Sequence, residues 1–200
     1  AASANPGDFD TVFEFTGTGG EINDFAVHWF SADPATESNP QYANSANQPI
    51  NDASNPRVFL ELEITGLSHT SPMDLNIFLL DPFGTGIEIM DDRGDGVNFP
   101  GTLFFRDPVD GGKPLPTDPD PLIDGAVYAP ELPGTPNKNP GFGGYTTTGN
   151  DEWRLVIIDD SAGDQGSFES FTIRGLVVPE PASVSLLAIG ACALLRRRKA

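Results

Sequence analysis

No stretch before Pro179 repeats its apolar residues at a helical spacing, whereas several repeat them every second residue. That contrast limits the fold more than any other property of the chain. A helix buries one face with apolar side chains at i, i+3, i+4 and i+7, and a half-buried strand does so at i, i+2 and i+4. Val58, Leu60, Leu62 and Ile64 alternate with Phe59, Glu61, Glu63 and Thr65. Leu75, Ile77 and Leu79 repeat the pattern, while Phe78 and Leu80 make the other face apolar as well. Glu152–Asp159 and Phe168–Val178 read as two more strands. Thr11–Phe15 and Ile22–Phe30 are earlier candidates, and Ile87–Met90 and Thr102–Phe105 are short ones. Glycine and proline, 22 and 19 residues, punctuate these runs. Short strands with turn residues between them predict an all-β fold, an antiparallel sandwich or jelly roll.

Two segments do not fit a strand. Ser31–Pro56 is rich in Asn, Ala, Ser and Pro and reads as a long loop. Asp107–Pro140 holds nine of the nineteen prolines. Proline lacks the ladder donor, so this stretch belongs to surface loop or sheet edge.

The end of the chain follows different rules. Pro179-Glu180-Pro181 precedes an uncharged run, Ala182–Leu195, and then Arg196-Arg197-Arg198-Lys199-Ala200. The prolines stop the preceding element. The apolar run suits a bilayer, and cations hold their end of a spanning helix in the cytoplasm. These three parts, in this order at the C-terminus, resemble the PEP-CTERM sorting signal of bacterial envelope proteins. The resemblance implies an exosortase-type processing enzyme, cleavage near Pro179–Pro181, and a transient membrane anchor with its C-terminus cytoplasmic. It implies that the body works in the cell envelope, at the cell surface or outside the cell. Ala1-Ala2-Ser3-Ala4 is the kind of small-residue start that signal-peptidase cleavage leaves.

Charge narrows the partners. The formal net charge is −18, with 11 Lys+Arg against 29 Asp+Glu. Four of those cations are Arg196–Lys199, so everything before Arg196 carries 7 against 29, or −22. Phosphate backbones and anionic lipid repel such a body, which excludes nucleic acid as a partner. Cys192, the single cysteine, lies in the apolar tail, so residues 1–191 have neither a disulfide nor a thiolate metal site.

Three blocks of the body resemble the P domain, or P/Homo B domain, that follows the catalytic domain of kexin- and furin-like subtilases. The first is Leu67–Thr85, where His69, Thr70, Asp74, Leu75, Ile77, Leu79, Pro82, Gly84 and Thr85 carry the match. The second is Gly125–Pro130, with Gly125, Tyr128 and Pro130. The third is Asp151–Val177, through Trp153, Leu155, Asp159, Gly163, Asp164, Gly166, Ser170 and Ile173. The resemblance implies an eight-stranded jelly roll over residues 57–178. Residues 1–56 then form N-terminal strands and a loop packed on or extending the sandwich, and residues 179–200 form the sorting signal.

Catalytic chemistry lacks its parts. Only His28 and His69 are present, and no Gly-x-Ser-x-Gly elbow occurs. Zinc needs more His or Cys than the body offers. Calcium takes six to eight oxygens from carboxylates and loop carbonyls. Acidic loops occur at Asp91–Gly96, at Asp118, Asp120 and Asp124, and at Asp159–Asp164. Asp74, Asp159, Asp160 and Asp164 form the leading candidate calcium set. The expected function is therefore non-catalytic: an exported envelope or extracellular-matrix protein that binds polysaccharide or another surface protein. Two alternatives stand beside it, an accessory module for a separate subtilisin-like protease and a carbohydrate-active sandwich.

Overall fold

The computed structural model describes residues 10–34, 58–80, 86–108, 111–117, 119–131, 142 and 153–177. Among the described residues there are nine strands: β1 (Asp10–Ile22), β2 (Val27–Pro34), β3 (Val58–His69), β4 (Leu75–Leu80), β5 (Gly86–Asp91), β6 (Phe99–Arg106), β7 (Val127–Tyr128), β8 (Trp153–Asp159) and β9 (Gly166–Val177). They make one sheet in the order β5-β4-β8-β2-β1-β9-β3-β6-β7. All pairings are antiparallel except β6 with β7. The all-β expectation holds, with the sandwich built as one curled sheet.

The curl is visible where the ends of the strand order meet. Glu131, just past the last strand in that order, donates its N–H to the Ile89 carbonyl of the first, at 3.3 Å. The Glu131 carboxylate also accepts the Asp91 N–H at 2.8 Å. Its other oxygen binds the Arg93 guanidinium. The turn sits at β1–β2, where only Phe15–Gly17 pair with Pro34–Ala32. A Cβ on Gly17 would lie 2.1 Å from the Phe171 ring, so the missing side chain lets that ring lie over the bend.

The concave side is the core. Leu60, Leu62 and Ile64 of β3 enter it, as the alternation predicts. Gly66, with φ +64, then inserts a bulge, and the register slips between Ile64 and Leu67. The buried parity changes from even to odd, so Leu67 and His69 point inward. Leu75, Ile77 and Leu79 of β4 and Trp153, Leu155 and Ile157 of β8 face them from the other half. Trp153 is fully buried, with its ring 6.5 Å from Phe15. Each such side chain, moved out of water, contributes about 1.5–3 kcal/mol.

Three expectations change. Ile22–Phe30 is two strands, because residues 23–26 turn. Asn23-Asp24 supplies turn chemistry, and His28 Nε2 accepts the Asn23 N–H at 2.9 Å to close it. The second of those strands continues to Pro34, into the segment read as loop. Glu61, read as part of a polar face, is buried at 3% exposure beside Arg106 at 1%. Among the described residues, no helix is long and apolar enough to cross a membrane.

Candidate functional site

Three turns meet at one end of the sheet. They are the β1–β2 turn, the segment His69–Asp74 between β3 and β4, and Asp160–Gln165 between β8 and β9. The sheet register brings them together, since His69 pairs with Gly166 and Leu75 with Asp159. A short 3-10 turn, Pro72–Asp74, starts with a proline and delivers the chain from β3 to β4.

The centre of this end is a buried histidine–carboxylate pair. His69 is 0% and Asp159 is 1% exposed. His69 Nε2 lies 3.3 Å from Asp159 Oδ2. Nδ1 lies 2.9 Å from the Ser71 carbonyl and 3.2 Å from the Ser71 nitrogen. A ring carrying its hydrogen on Nε2 donates to Asp159 and accepts the Ser71 N–H. The remaining Asp159 oxygen accepts the Ser161 N–H at 3.2 Å. Both residues are thus engaged in holding β3 to β8 across the core.

A second set of bonds ties the turns at the surface. Thr70 Oγ1 donates to Asp164 Oδ1 at 2.7 Å and accepts the Gln165 N–H at 3.1 Å. The Thr70 N–H reaches the Gln165 carbonyl at 3.2 Å. Asp24 Oδ1 accepts the Gly163 N–H at 2.9 Å and joins the β1–β2 turn. Asp74 contributes its backbone: its N–H goes to the Ser71 carbonyl and its carbonyl accepts the Asp160 N–H, both at 3.1 Å. The carboxylate that Thr70 binds is that of Asp164.

The four candidate calcium ligands divide accordingly. Asp159 is buried with His69, and Asp164 binds Thr70. Asp160 Oδ2 accepts from Asn76 Nδ2 at 3.2 Å, and the same amide lies 3.4 Å from Asp92 Oδ1. Among the described residues, no three His, Cys, Asp or Glu side chains are grouped to hold a metal ion. In the Asp91–Gly96 loop, Glu131 clamps Arg93 and the Asp91 N–H. Asp124 is spent on the Thr102 N–H at 2.8 Å. Asp118 and the sorting residues Pro179, Glu180, Pro181, Arg196, Arg197, Arg198 and Lys199 lie outside the described residues.

Electrostatics marks one member that the sequence did not single out. The Asp92 carboxyl is held above the usual aspartate range, first by burial and then by Asp160, Asp91 and Asp74, with Arg93 opposing. A raised value in the fold means that the fold binds the proton more tightly than the unfolded chain. Its contribution is therefore favourable below the ordinary aspartate value and is lost as pH rises through the raised one. Asp92→Asn is expected to raise the neutral-pH melting temperature by about 1–2 °C, the effect of a surface change of about 0.5 kcal/mol. Asn also tolerates the φ of +51 found at this position. The gain should vanish on acidification below the ordinary aspartate range, which thermal melts at pH 3 and pH 7 measure.

Comparison with known proteins singles out the tail. Residues 177–199 match the PEP-CTERM protein-sorting motif. No curated protein matches the chain. Among solved structures, one similar chain belongs to the crystal structure of the Aeromonas sobria serine protease (ASP) and chaperone (ORF2) complex. It is 15% identical, with a TM-score of 0.32, over 79% of this chain and 28% of that one. The chain here therefore carries a PEP-CTERM protein-sorting motif, the mark of an exported protein that an exosortase sorts to the cell surface.

Proposed function

We propose that this is a non-catalytic surface protein whose curled sheet is the working module and whose tail is a processing signal. One observation carries the reading: the matched motif starts at residue 177, the last residue of β9. The last described strand ends where the sorting signal begins, so cleavage near Pro179–Pro181 would leave every described strand whole. Before cleavage the apolar run Ala182–Leu195 spans the bilayer, with Arg196–Lys199 in the cytoplasm.

The module is a P/Homo B-like domain in this reading. Its support is that two of the resembling blocks form one physical unit. The first supplies His69 and Thr70, the third supplies Asp159 and Asp164, and the four side chains meet as two pairs. The absence of catalysis is supported by the histidines. His69 is buried with both ring nitrogens engaged, and His28 closes a turn. Each ring is thus engaged in a structural bond.

The test is mass spectrometry of the protein from the cells that make it. A surface or secreted form ending near Pro179–Pro181 is expected. A soluble form that keeps Arg196–Ala200 would overturn the proposal.

A further inference from the structure

The two halves of the sheet turn very different outer faces to solvent. On the half built from β1, β9, β3 and β6, the outward rows are polar. Glu14 pairs with Arg174, Arg174 with Glu61, and Glu61 with Arg106. The next row joins Thr16, Thr172 and Glu63, and the one after joins Thr18, Ser170 and Thr65. Polar outward rows are usual for an antiparallel sheet, although Glu61, Arg106 and Thr172 are themselves buried here.

On the half built from β2, β8 and β4, the outward rows are apolar at their centre, with Asn76 at one end and Ser31 and Arg154 at the other. One row is Val27–Ile158–Asn76, the next is Trp29–Val156–Phe78, and the third is Ser31–Arg154–Leu80. Trp29 is 61% and Val27 54% exposed. Val156, beneath Trp29 and Phe78, is 4% exposed. A contiguous apolar patch on a rigid sheet is the signature of a contact surface, whereas single exposed apolar residues are ordinary.

The patch has a charged border. Glu88 pairs with Phe78 and so ends the central row. Asn76 pairs with Asp91, which ends the row beside it, and the Asn76 amide holds Asp160 and lies within reach of Asp92. Burial and neighbouring carboxylates push both Glu88 and Asp92 above their usual ranges, so along this border carboxylates outweigh the one cation, Arg93, that opposes them at Asp92. A positively charged occupant relieves that repulsion. A second copy of the chain brings a net −18 and the same carboxylates, and an anionic lipid surface is repelled for the same reason.

We propose that the face formed by Val27, Trp29, Val156, Ile158, Phe78 and Leu80 is a docking surface for a cationic amphipathic segment of a partner protein. Apolar side chains of that segment lie over Trp29 and Phe78, and its Lys or Arg residues meet Glu88, Asp92 and Asp160. Phe25 belongs to the same end of β2. It is 72% exposed and holds φ +52, a conformation costly for an aromatic residue. With so little of its ring packed, Phe25 gains little stability in return for that strain. Its place is that of a contact residue. The proposal rests on the sheet alone and is independent of the sorting signal.

The two tryptophans provide the readout. Trp153 is fully buried and Trp29 is exposed, so a change in emission on binding reports Trp29. The probe is a synthetic amphipathic peptide of Leu and Lys, titrated into the full chain. A shift of emission to shorter wavelength is expected, with binding weakened at least about tenfold by Val27→Asp or Trp29→Ser, followed through a dye on the peptide. Phe25→Asn is expected to weaken binding while raising the melting temperature by about 2–4 °C. Far-UV circular dichroism checks that each variant folds. A Leu/Glu peptide with the same apolar face, or a Ser/Lys peptide with the same charge, should bind weakly and leave the emission unchanged. Equal binding of either peptide overturns the proposal, as does binding that ignores the variants. An emission shift with a neutral oligosaccharide such as cellohexaose and none with the Leu/Lys peptide assigns the face to sugar instead. A concentration-dependent dimer with the same shift assigns it to a second copy.

Discussion

Arg106→Met will lower the unfolding free energy by about 3–5 kcal/mol, and adding Glu61→Leu will recover most of that loss. Arg106 is 1% and Glu61 3% exposed, and they pair across β6 and β3. Arg106 Nε donates to Glu61 Oε2 at 2.5 Å, and a second guanidinium nitrogen binds the same oxygen. Removing the arginine alone leaves a carboxylate sealed from water with one longer partner, Arg174 Nη1 at 3.4 Å. The buried charge, more than the lost bond, sets the penalty. Removing both charges replaces the pair with apolar side chains of similar bulk. Arg174 keeps Glu14, at 2.7 Å, and Glu63. Since small domains are stable by only about 5–15 kcal/mol, the single variant loses a large share of its stability. Urea midpoints at unchanged slope measure both variants. A single variant as stable as the parent would mean that Arg174 alone satisfies Glu61.

Glu61 also shows how far the sequence could be read. Alternation located β3 and named Leu60, Leu62 and Ile64 as its inward residues. The same rule assigned Glu61 to water, because period two reports which face a residue takes and not what covers that face. Gly66 is one residue in the sequence, yet it reverses the parity of all that follows in β3. That is how Leu67 and His69 come to lie inside. The β4 and β8 segments are apolar on both faces, so sequence could not tell the core side from the contact side. Only their pairing with β2 separates Leu155 and Ile157 from Val156 and Ile158.

The turn cluster was legible as composition and illegible as wiring. Its carboxylates stood out as Asp74 and Asp159–Asp164. Which of them meets which donor depends on register between distant segments: His69 and Asp159 are 90 residues apart, and Thr70 and Asp164 are 94. Nothing local in the sequence distinguishes Asp159, which bonds a histidine in the core, from Asp160, which is exposed.

Replacing Arg196, Arg197, Arg198 and Lys199 with serine will abolish the sorted form of the protein while leaving its sheet intact. Fourteen residues, Ala182–Leu195, would span about 21 Å as a helix, against a hydrocarbon layer of about 30 Å. An apolar run this short is held only weakly by its own transfer energy. In the proposed topology the four cations stop it from slipping through, each costing about 2.5–3.5 kcal/mol at the bilayer centre. Together they set a barrier of about 10 kcal/mol, and serine removes nearly all of it. The full-length chain should then appear outside the membrane with its C-terminus uncut, and the shortened surface form should fall to background in immunoblots of fractionated cells. Restoring four lysines should restore sorting, because charge and not guanidinium geometry sets the barrier. The body should not register the change: β9 ends at Val177, so melting temperatures of the purified chains should agree within about 1 °C. Normal processing of the serine variant would show that recognition lies in Pro179–Pro181 and the apolar run alone. A shifted melting temperature would show instead that the tail is part of the folded body.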